Sequence, residues 1–139
     1  MGIMDYMKSL KAYLTKMHPD DFIAGSIYSD ENTITYFPFT PGTLKKLKLK
    51  IAIVFNHPQK RFEIWLAGQN KQIQKKYWEI FKESDWNKYH IPDSIENGFS
   101  IVDTVLEDKP DFSQAELLTE KLEKDILQFT RDIAEIFEI

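Results

Sequence analysis

Hydrophobic and polar residues alternate most regularly between positions 47 and 67 of the chain. One apolar set recurs at every second position up to Phe55, and the alternation resumes at Phe62 after a turn centred between Pro58 and Gln59. This arrangement places three pairs of apolar residues opposite each other: Phe55 and Phe62, Ile53 and Ile64, and Ile51 and Leu66. A slip of one residue would send one apolar set to the opposite face, so the pattern predicts a hairpin in this register.

Apolar residues at spacings of three and four predict three helices. The first runs over 3–17, and the last begins at Ser113 and runs to about Phe137. The middle helix covers 70–82, with Asn70 as its N-cap because its side chain can accept from a free amide of the first turn. Its predicted buried stripe consists of Ile73, Tyr77, Ile80 and Phe81.

Three further segments, over 22–28, 33–39 and 99–106, are rich in residues that favour strands. In the second of them, Pro38 and Pro41 indicate an early end or an edge position, because proline cannot donate to a ladder. Consecutive hairpins favour an antiparallel sheet with helices on one side. The predicted class is therefore α+β, with about five antiparallel strands and three helices packed mainly on one face.

The length of 139 residues predicts a single globular domain over 1–139. The chain has no cysteine, which excludes disulfides, thiolate nucleophiles and cysteine-based metal sites. The histidines lack neighbours at metal-ligand spacing, and we expect neither a metal site nor a cofactor. The net charge of −4 argues against a nucleic-acid partner. No secretory signal or membrane-length apolar run is visible, which predicts no membrane contact and a cytoplasmic location.

Three segments of the chain form a distinctive sequence pattern: TYFPFTP at 35–41, KIAIVFNH at 50–57 and RFEIWLAGQN at 61–70. They resemble a family of small uncharacterised prokaryotic proteins, a domain of unknown function. The likeness continues through the last helix and covers most of the chain. The resemblance implies a compact prokaryotic domain and supplies no catalytic residues.

The second face of the predicted hairpin carries the main candidate site. Arg61, Glu63 and Trp65 point the same way from one strand, and Asn56 lies opposite Arg61. An aromatic plane beside a cation and a carboxylate can hold a small polar ligand. The alternatives are a solvated sheet face and a homodimer interface with Trp65 as its anchor, since tryptophan is favoured at interface hot spots.

A second candidate surface is the irregular segment around Trp86, Tyr89 and His90, which could line a pocket lip. The sequence therefore favours a non-catalytic module that binds a small molecule or a protein through both surfaces. One alternative is a small hydrolase-like enzyme with Glu63 as acid–base residue, assisted by His57 or His90. The other is a homodimeric interaction domain. The sequence names neither a ligand nor a reaction.

Overall fold

A computed structural model of the chain describes residues 2–96 and 98–137. These residues form six strands, four α-helices and one 3-10 turn. In chain order they are α1 (Ile3–Met17), β1 (Phe22–Ala24), β2 (Tyr28–Ser29), β3 (Ile34–Pro41), α2 (Gly42–Lys46), β4 (Leu49–Asn56), β5 (Arg61–Gly68), α3 (Lys71–Glu83), β6 (Val102–Glu107), the 3-10 turn (Phe112–Gln114) and α4 (Ala115–Ile136). The predicted α+β class is confirmed.

The strands form one antiparallel sheet in the order β1-β3-β4-β5-β6, and β2 also pairs with β3. The central β4–β5 hairpin has the predicted register in full, with Phe55 opposite Phe62 and Ile53 opposite Ile64. The three long helices of the described chain share one apolar core with the inward residues of the sheet. None of the described helices is long and apolar enough to cross a membrane.

Each long helix contributes a stripe of buried side chains to this core. They are Tyr6, Met7, Leu10 and Leu14 from α1, Tyr77 and Phe81 from α3, and Leu118, Leu122, Ile126, Phe129 and Ile133 from α4. The spacings of three and four that predicted the helices are those that bring these residues to one side. We call the helix-covered side of the sheet the inner face and the opposite side the outer face.

The segment predicted as one strand over 22–28 is two short strands, and the prediction of an edge position for Pro38 was wrong. Both short strands pair with β3, which therefore lies inside the sheet. Gly25 lies in the gap between them and donates its amide to the Pro38 carbonyl at 2.9 Å. In an antiparallel ladder the nitrogen of a residue points to the same side as its carbonyl. The nitrogen of Pro38 thus faces this gap, where no ladder donor is needed.

Two further expectations about burial were wrong. In α3, Ile80 was expected to be buried but is 43% exposed, whereas Gln74 is buried. The buried stripe of this helix runs through 74, 77 and 81. The last strand begins at Val102 instead of Phe99, and the Phe99 side chain is 69% exposed. The short helix α2 was not predicted. The Asn70 cap is confirmed, since its side-chain oxygen accepts from the Ile73 amide at 2.9 Å.

A side chain at Gly68 should destabilise the domain, because β5 ends against the first turn of α3. A Cβ there would lie 2.5 Å from the backbone nitrogen of Gln74, whereas a Cβ on Gly42 would meet nothing within 4 Å. We expect Gly68→Ala to lower the free energy of unfolding by about 1–3 kcal/mol in urea titrations. Gly42→Ala is the matched control and should cause no loss. Equal unfolding midpoints for the two variants would contradict this packing.

Candidate functional site

Several side chains on the outer face of the sheet are buried although none of the described helices covers them. Ala52, Val54 and Ala67 are almost inaccessible, yet they do not belong to the helix-covered core. Side-chain alternation along β4 and β5 turns them outward, next to larger outer-face neighbours such as Trp65. The large side chains of this face therefore cover the small ones.

The predicted site residues of the hairpin meet in one hydrogen-bonded cluster around Glu63. The Arg61 Nε and the Asn56 Nδ2 donate to Glu63 Oε2 at 2.8 and 3.0 Å. The Trp65 Nε1 donates to Glu63 Oε1 at 2.8 Å. The structure thus brings together four of the seven predicted residues. We call this set (Asn56, Arg61, Glu63 and Trp65) the Glu63 cluster.

The bonding of Glu63 argues against its use as an acid–base residue. Both carboxylate oxygens already accept charge-assisted or indole hydrogen bonds, and the residue is only 7% exposed. A general base must reach the proton that it takes from a substrate. His57 cannot assist it, because its ring packs 5.1 Å from Phe55 and its Nε2 lies 2.8 Å from the Thr35 hydroxyl, both on the inward side of their strands. The cluster instead holds the Trp65 indole in one orientation.

Beside the Glu63 cluster, the outer face forms a depression of about 440 Å³. Its described lining comprises Tyr28, Thr33, Ile34, Tyr36, Lys50, Ala52, Trp65, Ala67 and Phe99. The rings of Tyr28 and Tyr36 lie 5.5 Å apart, and the Lys50 ammonium lies 5.8 Å from the Tyr36 ring centre. The small alanine side chains form the floor of this depression, and the aromatic rings form its walls. We call this site the outer-face depression.

Sequence reasoning found Trp65 but missed the other rings and the lysine of the depression. The register could have pointed to Lys50, because its partner Ala67 neighbours Trp65 on the same face. Tyr36 required the pairing of β3 with β4, and Tyr28 required the pairing of β2 with β3. No local signal marked Phe99 as a site residue, because the sequence placed it in a strand over 99–106.

Trp86 and Tyr89 do not join the Glu63 cluster, because they lie on the helical side of the domain. The Trp86 ring packs 5.1 Å from Phe81, and the Tyr89 ring packs 4.9 Å from Phe129. The Tyr89 hydroxyl donates to a carboxylate oxygen of Asp132. Burial, together with this bond, raises the pKa of Tyr89 well above its usual range. Trp86 therefore attaches the segment before β6 to α3, and Tyr89 attaches it to α4.

His90 reaches the outer edge of the sheet, where it forms a bridge with Asp103 of β6. Its Nδ1 lies 3.0 Å from Asp103 Oδ1, and the Ser100 hydroxyl donates to Asp103 Oδ2 at 2.6 Å. Asp103 is the cross-strand partner of Trp65, so His90 lies two strands away from that indole. The His90 side chain is 68% exposed. Among the described residues its one acidic partner is Asp103, and they contain no group of three potential metal ligands.

A larger hollow of about 680 Å³ lies at the β4–β5 turn. Its lining includes His57, Lys60, Asp108 and Lys109 above the rings of Phe55 and Phe112. Its polar lining belongs to the turns that follow β4 and β6. The outer-face depression differs because strands carry most of its walls, which makes its geometry more rigid.

The family model described as "Domain of unknown function (DUF7000)" matches residues 1–137. The chain belongs to this family. The match includes every strand and helix of the DUF7000 chain described above, and it confirms the expected membership in a family of unknown function. No curated protein and no solved structure shows a significant match to the chain.

Replacement of the Glu63 carboxylate should destabilise the outer face. In Glu63→Gln an amide donor would face at least one of the three donors that the carboxylate now satisfies. We expect the free energy of unfolding to fall by about 1–3 kcal/mol in urea titrations. Glu79→Gln, at an exposed position of α3, is the control and should behave as wild type. Equal stability of Glu63→Gln and wild type would show that the cluster contributes nothing.

The Asp132 contacts predict a specific loss of stability in acid. Burial alone would raise the pKa of this carboxyl, but hydrogen bonds from Tyr89, Gln128 and Lys88 outweigh burial and hold the pKa below its ordinary value of 3.8. A carboxyl with a lowered folded-state pKa stabilises the fold at neutral pH, and this contribution disappears as the pH falls through that pKa.

We therefore expect Asp132→Asn to be less stable than wild type at neutral pH, by about 1–3 kcal/mol. The difference should shrink as the pH is lowered below the ordinary range of aspartate. Denaturant titrations across the acid range test this, with Asp85→Asn at an exposed position as control. A difference that stays constant with pH would contradict the assignment.

Proposed function

We propose that this domain is a non-catalytic module that binds a small molecule in the outer-face depression. The observation that supports it most directly is the group of four aromatic rings around a floor of alanines: Tyr28, Tyr36, Trp65 and Phe99. A volume of about 440 Å³ lies within the range of small-molecule sites. Exposed aromatic rings grouped at a concave site are typical of a binding surface, because they present apolar area to water.

The Glu63 cluster supports a role for Trp65 as a preorganised wall of the site. Its indole nitrogen is already bonded to Glu63, so little side-chain freedom remains to be lost when a ligand stacks on the ring. Arg61 and Asn56 act here through Glu63 and orient the wall from behind. The polar residues first considered as ligand contacts thus become positioning residues in this proposal.

The enzymatic alternative has less support from the same geometry. Glu63 has both oxygens occupied, and the exposed His90 lies at the sheet edge beside Asp103. Homodimerisation through the outer face would use the same rings and is an outcome of the test below. A single domain, a cytoplasmic location, a prokaryotic origin and the absence of nucleic-acid partners stay predictions from the sequence.

Binding can be tested with N-phenyl-1-naphthylamine, a neutral aromatic probe that fluoresces when it leaves water. We expect a saturable increase in fluorescence with one site per chain. Phe99→Ser should weaken binding about three- to tenfold, because one aromatic wall is lost at a position outside the strands. Leu117→Ser, which removes a comparably exposed apolar side chain from α4, is the matched control and should leave the affinity unchanged.

The proposal fails if the probe shows no saturable binding, or if Phe99→Ser and Leu117→Ser have the same effect. Sedimentation of the probe-free protein identifies the dimer alternative. A wild-type dimer that Phe99→Ser dissociates would assign the rings to an interface between two copies instead of a ligand site.

A further inference from the structure

We infer that the ligand of the outer-face depression is a flat aromatic carboxylate whose anionic group binds Lys50. This inference rests on the proposed function and adds the chemical class of the ligand. Lys50 is the single charged side chain among the described residues that line the depression, and none of those residues is acidic. The site therefore combines an aromatic cavity with one uncompensated positive charge.

Some cations of this domain are paired with carboxylates, and most of the unpaired lysines are exposed to water, whereas Lys50 is half-buried. Arg61 pairs with Glu63, Lys88 pairs with Asp132, and Lys121 pairs with Glu107. Within the described chain Lys50 has no such partner, and its ammonium lies near the Tyr36 ring instead. A partly buried charge gains most from a counterion that enters the same desolvated space.

The nearby acidic groups on the outer face cannot serve as that counterion. Glu63 is occupied by the donors of its cluster, and Asp103 is occupied by Ser100 and His90. An anionic ligand therefore meets an available cation without facing a free carboxylate at the depression. A cationic ligand would meet Lys50 at close range and would be repelled.

The spacing of Lys50 and Trp65 defines the shape of the ligand. Lys50 is paired with Ala67, and Trp65 is paired with Ala52, so the two side chains occupy adjacent rows of one face. Because the two residues also lie on neighbouring strands, they are diagonal neighbours, which are separated by roughly 7–8 Å. A bicyclic ring system stacked on Trp65 can present a carboxylate attached to its edge at about this distance.

The test compares the displacement of N-phenyl-1-naphthylamine by 2-naphthoate and by its neutral isostere 2-naphthamide. At low salt we expect wild type to bind the carboxylate about three- to tenfold more tightly than the amide. This preference should shrink at high salt, because screening weakens the ion pair. Lys50→Met keeps much of the side-chain length without its charge and should remove the preference.

Lys75→Met, at an exposed position of α3, is the matched control and should retain the preference. Equal wild-type affinities for the two compounds, or a preference that persists in Lys50→Met, would overturn the inference while the proposed function stands. If the neutral probe itself does not bind to wild type, the proposed function fails first. If Lys50→Met no longer binds the probe, the salt dependence of wild type tests the inference. A wild-type preference for the carboxylate that does not shrink at high salt would then overturn it.

Discussion

The two-residue alternation of the β4–β5 hairpin is the constraint on which the rest of the domain depends. It sends Ile51, Ile53 and Phe55 to the helices, and it sends the residues between them to the other side. Because all three long helices of the described chain cover the inner face, the outer face has to bury its small side chains with its own large ones. A register shift would exchange these two surfaces and place the Glu63 carboxylate in the apolar core.

Glu63 illustrates how a charged residue can be buried on such a face. Its carboxylate is surrounded by an arginine, an amide and an indole, and these donors offset the cost of removing the charge from water. The same bonds engage both carboxylate oxygens and orient the Trp65 ring. The carboxylate thus holds the Trp65 indole in one orientation on the outer face.

The outer-face depression depends on chain segments that are far apart in sequence. Tyr28 and Tyr36 come from the β2–β3 pair, Lys50 from β4, Trp65 from β5 and Phe99 from the segment before β6. That last segment is anchored on the helical side through Tyr89 and Asp132 and on the sheet through His90 and Asp103. The Trp86 and Tyr89 rings thus pack against the helices and do not line the depression.

The sequence by itself determined the three long helices, the class of fold, the hairpin register and the shared face of Asn56, Arg61, Glu63 and Trp65. These features follow from local periodicity, which the backbone geometry of a strand or helix converts directly into faces. Only the tertiary structure decided that β3 lies inside the sheet despite Pro38, that Phe99 is exposed, and that both oxygens of Glu63 accept hydrogen bonds. Each of these depends on which segment becomes the neighbour of another, and periodicity within one segment carries no information about the partner that packs beside it.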